Sequence, residues 1–197
     1  MPRSGCCARP SRRPPGRHVG GYGIVDHVSE PAPIGADAVV APRGGRAASR
    51  LRLALLVLRG RGRLRAGRDV RIGRRARVLV APGGSVRLGD GCLLGPGCRI
   101  EAAGGTVEVG PSARLGERCV IVALAAVSVG AGATVGEWAV LSDVEPTAAD
   151  VETPIRHQPL SPRPVEVGAG ARIGAHAALG AGARVAAGAA VGSYAVV

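Results

Sequence analysis

The sequence predicts an all-β fold, a solenoid in which short parallel strands wind into stacked triangular coils. Three observations predict it. Aliphatic residues recur every six positions, glycine follows most of them, and a small residue usually stands four positions later. The composition agrees, because 32 glycines, no phenylalanine and only 2% aromatic residues leave aliphatic and small side chains to fill a core.

The period of six holds over most of the chain and is unbroken towards the C-terminus. There the aliphatic position falls at Val167, Ile173, Leu179, Val185, Val191 and Val197. Earlier it comes in triplets separated by two or three extra residues: Leu88, Leu94 and Ile100; Val109, Leu115 and Ile121; Val129, Val135 and Leu141. Ile72 and Val78 form an imperfect first turn. Of fifteen such positions (Val78 and Val197 aside), glycine comes next in 11, and Ala or Cys stands four residues later in 13.

A unit of six residues is too short for a helical hairpin but accommodates one short strand and a turn. Three units then close a triangular coil, with the aliphatic and small residues pointing inward and glycine at the turn. Successive coils stack at the ~4.8 Å strand spacing, and we expect about five of them. Cys92, Cys98 and Cys119 occupy the small inward position, so we interpret them as buried hydrophobic residues rather than redox or metal residues.

The charge divides the chain into unequal parts. Residues 1–77 contain 18 arginines and four acidic residues, whereas the remainder contains 8 arginines and 10 acidic residues. We predict three segments: a basic, irregular leader over residues 1–50, a cap over 51–69, and the solenoid over 70–197 with an inserted loop at 142–164. We interpret the leader as unstructured, with contact to a phosphate backbone or anionic lipid as the alternative.

The run LALLVL at residues 53–58 is the only apolar stretch near the front. It is far shorter than the ~20 residues that span a bilayer, so no transmembrane segment is predicted. We predict a first strand or a short helix that caps the solenoid, and an interfacial membrane contact stays open. Five cysteines without a regular pairing framework favour a reduced, cytoplasmic chain.

The repeat is interrupted between Leu141 and Val167, a step of 26 residues where six would suffice. The interruption contains acidic residues, prolines and a histidine. Long excursions from a regular scaffold usually carry function, so this loop is the predicted active-site segment.

The end of the loop and the coils after it carry a resemblance to a known family. The phrase PIRHQPLSPRPV, from Pro154 to Val165, and the following EVGAGARIGAHAALG are similar to the closing part of maltose, galactoside and polysaccharide O-acetyltransferases. These form a branch of the hexapeptide-repeat acyltransferase superfamily. The resemblance implies a left-handed parallel β-helix and a homotrimer. It also implies acetyl-CoA or another acyl-CoA as co-substrate in a groove between subunits, and acyl transfer to a sugar or glycan hydroxyl.

The same resemblance directs attention to a general base. A histidine that takes the proton of the attacking hydroxyl contributes about 10²–10⁴ in rate. The family places it just after the loop leaves the coil, where Asp143 fits the pattern but Val144 and Pro146 occupy the histidine positions. We therefore name His157 and Asp143 as the catalytic candidates. No pair of histidines has the spacing of zinc ligands, so no metal is expected.

The family also suggests where the co-substrate lies. By resemblance, pantetheine faces the backbone of Gly174, Ala175, Gly192 and Ser193, and the CoA phosphates meet Arg172, Arg184 or Arg163. His176 lies on a coil surface, where it is a solvent or subunit-contact residue or part of this groove. The competing hypothesis is a non-catalytic trimeric scaffold or binding protein that keeps the prism without the base. No specific nucleic-acid partner is predicted.

Overall fold

The computed structural model describes residues 46–59, 62–147, 152, 154 and 157–197. Nearly all of its regular structure is β, with one helix, α1 (Arg46–Arg59), and strands numbered in chain order. The predicted basic leader lies outside the described residues except for residues 46–50, which belong to α1.

Three parallel sheets form the three faces of a prism. The first face contains β1 (Leu64–Ala66), β4 (Ser85–Leu88), β7 (Thr106–Val109), β10 (Ala126–Val129), β15 (Val165–Val167) and β18 (Arg184–Val185). The second contains β2 (Arg71–Ile72), β5 (Leu93–Leu94), β8 (Arg114–Leu115), β11 (Thr134–Val135), β16 (Arg172–Ile173) and β19 (Ala190–Val191). The third contains β3 (Arg77–Val80), β6 (Arg99–Ala102), β9 (Val120–Ala123), β12 (Val140–Ser142) and β17 (Ala178–Leu179). Because the chain visits the faces in this order, the fold is a parallel β-solenoid, consistent with the left-handed β-helix that was expected.

The solenoid has about six turns, one more than the sequence predicted. β1 adds the strand that the period of six missed, and it pairs with β4 in the regular register. Ala66 lies opposite Leu88 and so occupies the aliphatic position of the repeat. Because it is Ala rather than Val, Leu or Ile, the sequence pattern does not reveal this turn. The last turn consists of β18, β19 and an isolated bridge between Val196 and Ala178.

The predicted inward positions form the core. The aliphatic residues of the repeat are buried from Ile72 to Val191 except for Val78, which is partly buried. Most of the small residues four positions later are buried as well, including Cys92, Cys98 and Cys119. This confirms that the three cysteines occupy buried inward positions, where they are free thiols. Burial raises the pKa of the Cys92 thiol to about 12. The neighbouring Cys119 and burial raise the pKa of Cys98 well above its usual value, since the charged thiolate is disfavoured in an apolar interior.

Three corners join the faces, and we name them by order: the first corner follows the first face, the second follows the second face, and the third follows the third face. The third residue of each turn at the second corner has a positive φ. These residues are Arg75, Gly97, Arg118, Trp138, His176 and Tyr194. Except at Gly97, which has no side chain, their side chains therefore leave the prism at one edge, one coil above another.

Helix α1 covers the first coil. Its inner side contains Ser49, Leu53 and Leu56, which are buried or packed against the core. The N–H of Ile72 donates to the Ser49 hydroxyl (2.8 Å), and Arg52 donates to the Ile72 carbonyl (3.2 Å). For residues 53–58 the structure thus shows the helix rather than the strand. Among the described residues, no helix is long and apolar enough to cross a membrane.

Candidate functional site

The inserted loop leaves the prism at the third corner, after β12. It begins as an antiparallel hairpin of β13 (Val144–Pro146) and β14 (Leu160–Pro162). Beyond the hairpin stem, Thr147 donates to the Pro159 carbonyl through both its N–H (3.1 Å) and its hydroxyl (2.8 Å). The chain then enters β15, so the loop replaces one ordinary turn of the third corner.

Asp143 anchors the start of this hairpin. Its side chain is 0% exposed, and its two carboxylate oxygens accept hydrogen bonds from the N–H groups of Leu124 (2.8 Å) and Ala125 (2.7 Å). These two N–H groups belong to the third-corner turn of the coil below, between β9 and β10. The Asp143 carbonyl in turn accepts from the Arg163 N–H (2.9 Å), where the loop returns. Asp143 therefore ties the exit of the loop to its return and to the preceding coil.

Arg163 connects the same stem to the coil above. Its guanidinium donates to the Glu145 carboxylate at 2.6 Å, and both side chains are about half exposed. Its carbonyl accepts from the Gly182 N–H at 3.1 Å. The aliphatic part of the side chain also packs beside Gly182, where an added Cβ would lie 3.6 Å from the Arg163 Cβ. The return of the loop is thus held from below by Asp143 and from above by Gly182.

The histidine candidate and the two substituted positions occupy different parts of the loop. Val144 and Pro146 lie on β13, half-buried and exposed respectively, and neither can accept a proton. His157 is exposed in the loop between Pro154 and β14, and its N–H donates to the Pro154 carbonyl at 2.8 Å. Its assignment as a base stays a prediction, as does that of Asp143.

Four of the predicted cofactor residues meet at the second corner. Gly174 and Ala175 form one turn there, and Gly192 and Ser193 form the turn of the next coil. A Cβ on Gly174 would collide with the backbone of Gly192 and Ser193, so close stacking of the coils already requires glycine at this position. The structure brings these residues together, while their contact with pantetheine stays a prediction.

Of the three predicted phosphate-binding arginines, Arg163 is the loop residue paired with Glu145, and the other two lie on different faces. Arg172 is exposed on β16 of the second face, close to the turn at Gly174. Arg184 is on β18 of the first face, which is opposite the second corner, and its guanidinium lies 3.7 Å from the Glu166 carboxylate. Within one chain, Arg184 and the turn at Gly174 do not share a surface.

A column of stacked side chains runs along the second corner. The guanidinium of Arg118 lies 4.7 Å from the centre of the Trp138 ring. Trp138 stacks on His176 with 6.1 Å between ring centroids, and His176 stacks on Tyr194 with 4.8 Å. The sequence prediction placed His176 on the coil surface but missed the column. The signal was present, because all four residues stand three positions after an aliphatic residue of the repeat.

Two adjoining depressions run along the first face beside the first corner, with cavity volumes of about 380 and 420 Å³. Their floor is a row of glycines, which place no side chain on the surface: Gly89, Gly110, Gly130 and Gly168. The ion pairs Arg87–Glu108 and Arg184–Glu166 contribute to the walls. In the part of the chain that the structure describes, no cluster of His, Cys, Asp or Glu could hold a metal ion.

The fold defines the class as a parallel β-solenoid of six-residue repeats with a long inserted loop. No family model matches the chain, and no curated protein matches it. Among solved structures, the chain is similar to AntD, an N-acyltransferase from Bacillus cereus, in complex with dTDP and 3-hydroxybutyryl-CoA. The TM-score is 0.59 at 14% identity, over 80% of each chain.

A mutant of AntD in complex with dTDP-4-amino-4,6-dideoxyglucose and coenzyme A matches with a TM-score of 0.55 at 14% identity. That match covers 66% of this chain and 71% of the other. At such low identity the similarity concerns the fold.

Proposed function

We propose that this protein is an acyl-CoA-dependent acyltransferase that acts on a sugar or glycan. The observation that carries the proposal is the long hairpin loop, held by buried Asp143 at one corner of a six-turn solenoid. The fold is similar to that of AntD, an N-acyltransferase whose structures contain CoA or an acyl-CoA. The loop phrase from Pro154 to Val165 supports the same activity through its resemblance to O-acetyltransferases.

The proposed reaction is O-acylation, for which the acceptor hydroxyl must lose a proton. The acceptor oxygen forms a bond to the thioester carbonyl carbon, and the carbon–sulfur bond breaks. The hydroxyl proton passes to a base and then to the departing CoA thiolate. We assign the base to His157, the titratable imidazole of the loop. We propose Asp143 as a positioning residue, because its carboxylate holds the loop on the prism through Leu124 and Ala125.

The proposed site is formed by two copies of the chain. The loop leaves at the third corner, whereas Gly174, Ala175, Gly192 and Ser193 lie at the second corner of the same prism. A pocket that contains both the loop and these turns therefore needs the third corner of one copy beside the second corner of another. A homotrimer with threefold symmetry repeats that contact three times, and it also brings Arg184 of one copy towards the cofactor turns of the next. We propose this assembly, in the cytoplasm, with acetyl-CoA or a related acyl-CoA as donor.

A second candidate acceptor is an amine on the sugar. Val144 and Pro146 stand where the resemblance expects a histidine base. A neutral amine attacks a thioester without first losing a proton, so an aminosugar acceptor needs no base at those positions. AntD is an N-acyltransferase, and a mutant of it was solved with an aminosugar nucleotide.

One experiment tests these proposals together. The purified full chain is titrated with acetyl-CoA by calorimetry, and CoA release is then followed over matched panels of sugar and aminosugar acceptors. We expect binding in the micromolar-to-millimolar range and turnover with one panel. The absence of binding at millimolar acetyl-CoA would overturn the transferase proposal, and binding without turnover would support the scaffold hypothesis.

Variants then identify the base. We expect His157→Ala to lower kcat with hydroxyl acceptors by about 10²-fold or more while acetyl-CoA binding is kept. Glu152→Gln, an exposed change in the same loop, serves as the control and should leave kcat unchanged. If the two variants behave alike, His157 is not the base.

A further inference from the structure

Helix α1 presents a second apolar side, directed away from the prism. Leu51, Leu55 and Leu58 are 64%, 50% and 77% exposed. They stand at positions i, i+4 and i+7, so they lie on one side of the helix, opposite the inner side that contains Leu53 and Leu56. We call these three residues the leucine stripe. Contiguous exposed apolar surface of this kind marks a site of interaction.

The surroundings of the stripe are strongly basic. Residues 46–77 contain 12 arginines and one acidic residue, Asp69, which gives a net charge of +11. Nine of these arginines have described side chains: Arg50, Arg52, Arg63, Arg65, Arg68, Arg71, Arg74, Arg75 and Arg77. All of them are exposed except Arg52, which is partly buried, and none takes part in the ion pairs found among the described residues.

Two of these arginines face another arginine and have no acidic partner among the residues that the structure describes. Arg65 lies opposite Arg87 in the first face, and Arg77 lies opposite Arg99 in the third. Like charges that face each other across strands destabilise a sheet. Arg87 and Arg99 pair with Glu108 and Glu101, but Arg65 and Arg77 have no acidic partner within the described part of the chain. An external anionic partner would relieve this repulsion.

We propose that this end of the prism docks on an anionic lipid surface, with the leucine stripe buried in the headgroup region. The 14 residues of α1 form a helix about 21 Å long, too short to span a bilayer but suited to lie in its surface. Burial of the apolar side chains contributes hydrophobic free energy to membrane binding, and exposed arginines near lipid phosphates contribute electrostatic free energy. This inference stands apart from the proposed acyl transfer and does not require it.

Charge distinguishes an anionic lipid surface from the other candidate partners for the leucine stripe. A second copy of the chain would bring another +11 segment against the first, which is repulsive. Residues 1–45 contain six arginines and three acidic residues, so they are basic as well. A nucleic-acid backbone would complement the arginines but gain nothing from three exposed leucines. An anionic bilayer surface complements both features.

The test uses flotation of the full chain with 100-nm vesicles of phosphatidylcholine alone, or with about a third of phosphatidylglycerol. We expect the partition coefficient for the anionic vesicles to be at least ten-fold higher and to fall as NaCl is raised. The triple variant Leu51→Gln, Leu55→Gln and Leu58→Gln should lose at least ten-fold in binding. Its unfolding midpoint should be unchanged, because these side chains are exposed. Arg65→Gln with Arg77→Gln should also lose about ten-fold.

The matched control is the triple variant Val140→Gln, Leu160→Gln and Val196→Gln, which removes three exposed apolar side chains elsewhere. It should bind anionic vesicles as the parent does. The proposal is overturned if the leucine-stripe variant and this control bind equally. It is also overturned if deletion of residues 1–45 abolishes binding while the stripe variant keeps it. Binding to a duplex oligonucleotide without binding to vesicles, or stripe-dependent dimers without vesicle binding, would contradict it as well.

Discussion

The imidazole of His176 stacks on the phenol ring of Tyr194, with 4.8 Å between their centroids and 4° between their planes. The two residues are 18 positions apart in the chain and one coil apart in space. Both have a positive φ at the same corner of the prism, so their side chains leave the backbone in parallel. Tyr194 is 74% exposed, and the column beneath it includes the single Trp of the chain.

This column predicts a measurable contribution to stability. His176→Ala removes the ring that contacts both Trp138 and Tyr194 and keeps the positive φ. Since an aromatic pair contributes about 0.5–1.5 kcal/mol, we expect the free energy of unfolding to fall by about 1–2 kcal/mol in urea titrations. The fluorescence of Trp138 should change in the folded state only. Leu160→Ala, an exposed change, should do neither, and equal behaviour of the two variants would show that the column is not stabilising.

Coil stacking predicts different costs for two glycines of the same coil. A Cβ at Gly136 would lie 2.6 Å from the Ala175 nitrogen, so Gly136→Ala must push two coils apart and should cost about 3 kcal/mol. Gly132 has a φ of +66° with open space around it, so Gly132→Ala should cost only about 1 kcal/mol, through backbone strain. Thermal and urea unfolding of both variants measure the difference. The reverse order would show that strain at the turns, rather than coil spacing, limits substitution.

The buried carboxylate of Asp143 predicts a stability effect that is separable from catalysis. An amide offers one oxygen acceptor, so Asp143→Asn leaves the N–H of Leu124 or Ala125 facing an NH₂ group. We expect a loss of about 2–3 kcal/mol in the free energy of unfolding. Glu145→Gln removes only the exposed ion pair with Arg163 and should change stability by less than about 1 kcal/mol. An Asp143→Asn variant as stable as the parent would contradict the anchoring role.

The raised thiol pKa values predict a fall in stability at high pH. Above about pH 9 an unfolded chain releases the Cys92 proton, whereas the folded chain holds it up to about pH 12. The folded state then binds more protons than the unfolded state, so stability decreases as the pH rises through this window.

With a reductant present, the free energy of unfolding from urea titrations should be lower at pH 10 than at pH 8, by about 1–2 kcal/mol for Cys92 alone. Cys92→Ala, which places the usual small residue of the repeat at this position, should weaken the dependence. An equally steep dependence in that variant would assign the effect to other groups.

The faces, the inward positions and the place of the loop could be predicted from sequence because each follows from a period of six. Ala66 shows the limit of that method, since a small residue in an aliphatic position hides a whole turn. The run at residues 53–58 was ambiguous because six consecutive apolar residues have no period. Its helical state becomes evident only once Ser49 and Arg52 are seen to pair with Ile72.

The site was less accessible to sequence reasoning, because its contacts join adjacent coils. Asp143 accepts hydrogen bonds from Leu124 and Ala125, which are 19 and 18 residues away in the sequence. This separation depends on the lengths of the turns between them. The stacked column was missed for the same reason. Trp138 and His176 lie on adjacent coils, but the inserted loop separates them in the sequence. The loop itself has no repeat, so the sequence gives its position but not its hairpin.

The loop also leaves the stacking of the prism unchanged. Strand β10 pairs with β15 across the insertion as it pairs with β7 without one, Val127 lying opposite Val165 and Val107 respectively. The described ends of the insertion pair with each other as β13 and β14, and Asp143 and Arg163 connect this stem to the coils. Another hairpin with Asp143 and Arg163 at its two ends could therefore be grafted at this corner. Recognition could then diversify while the folding unit stays constant.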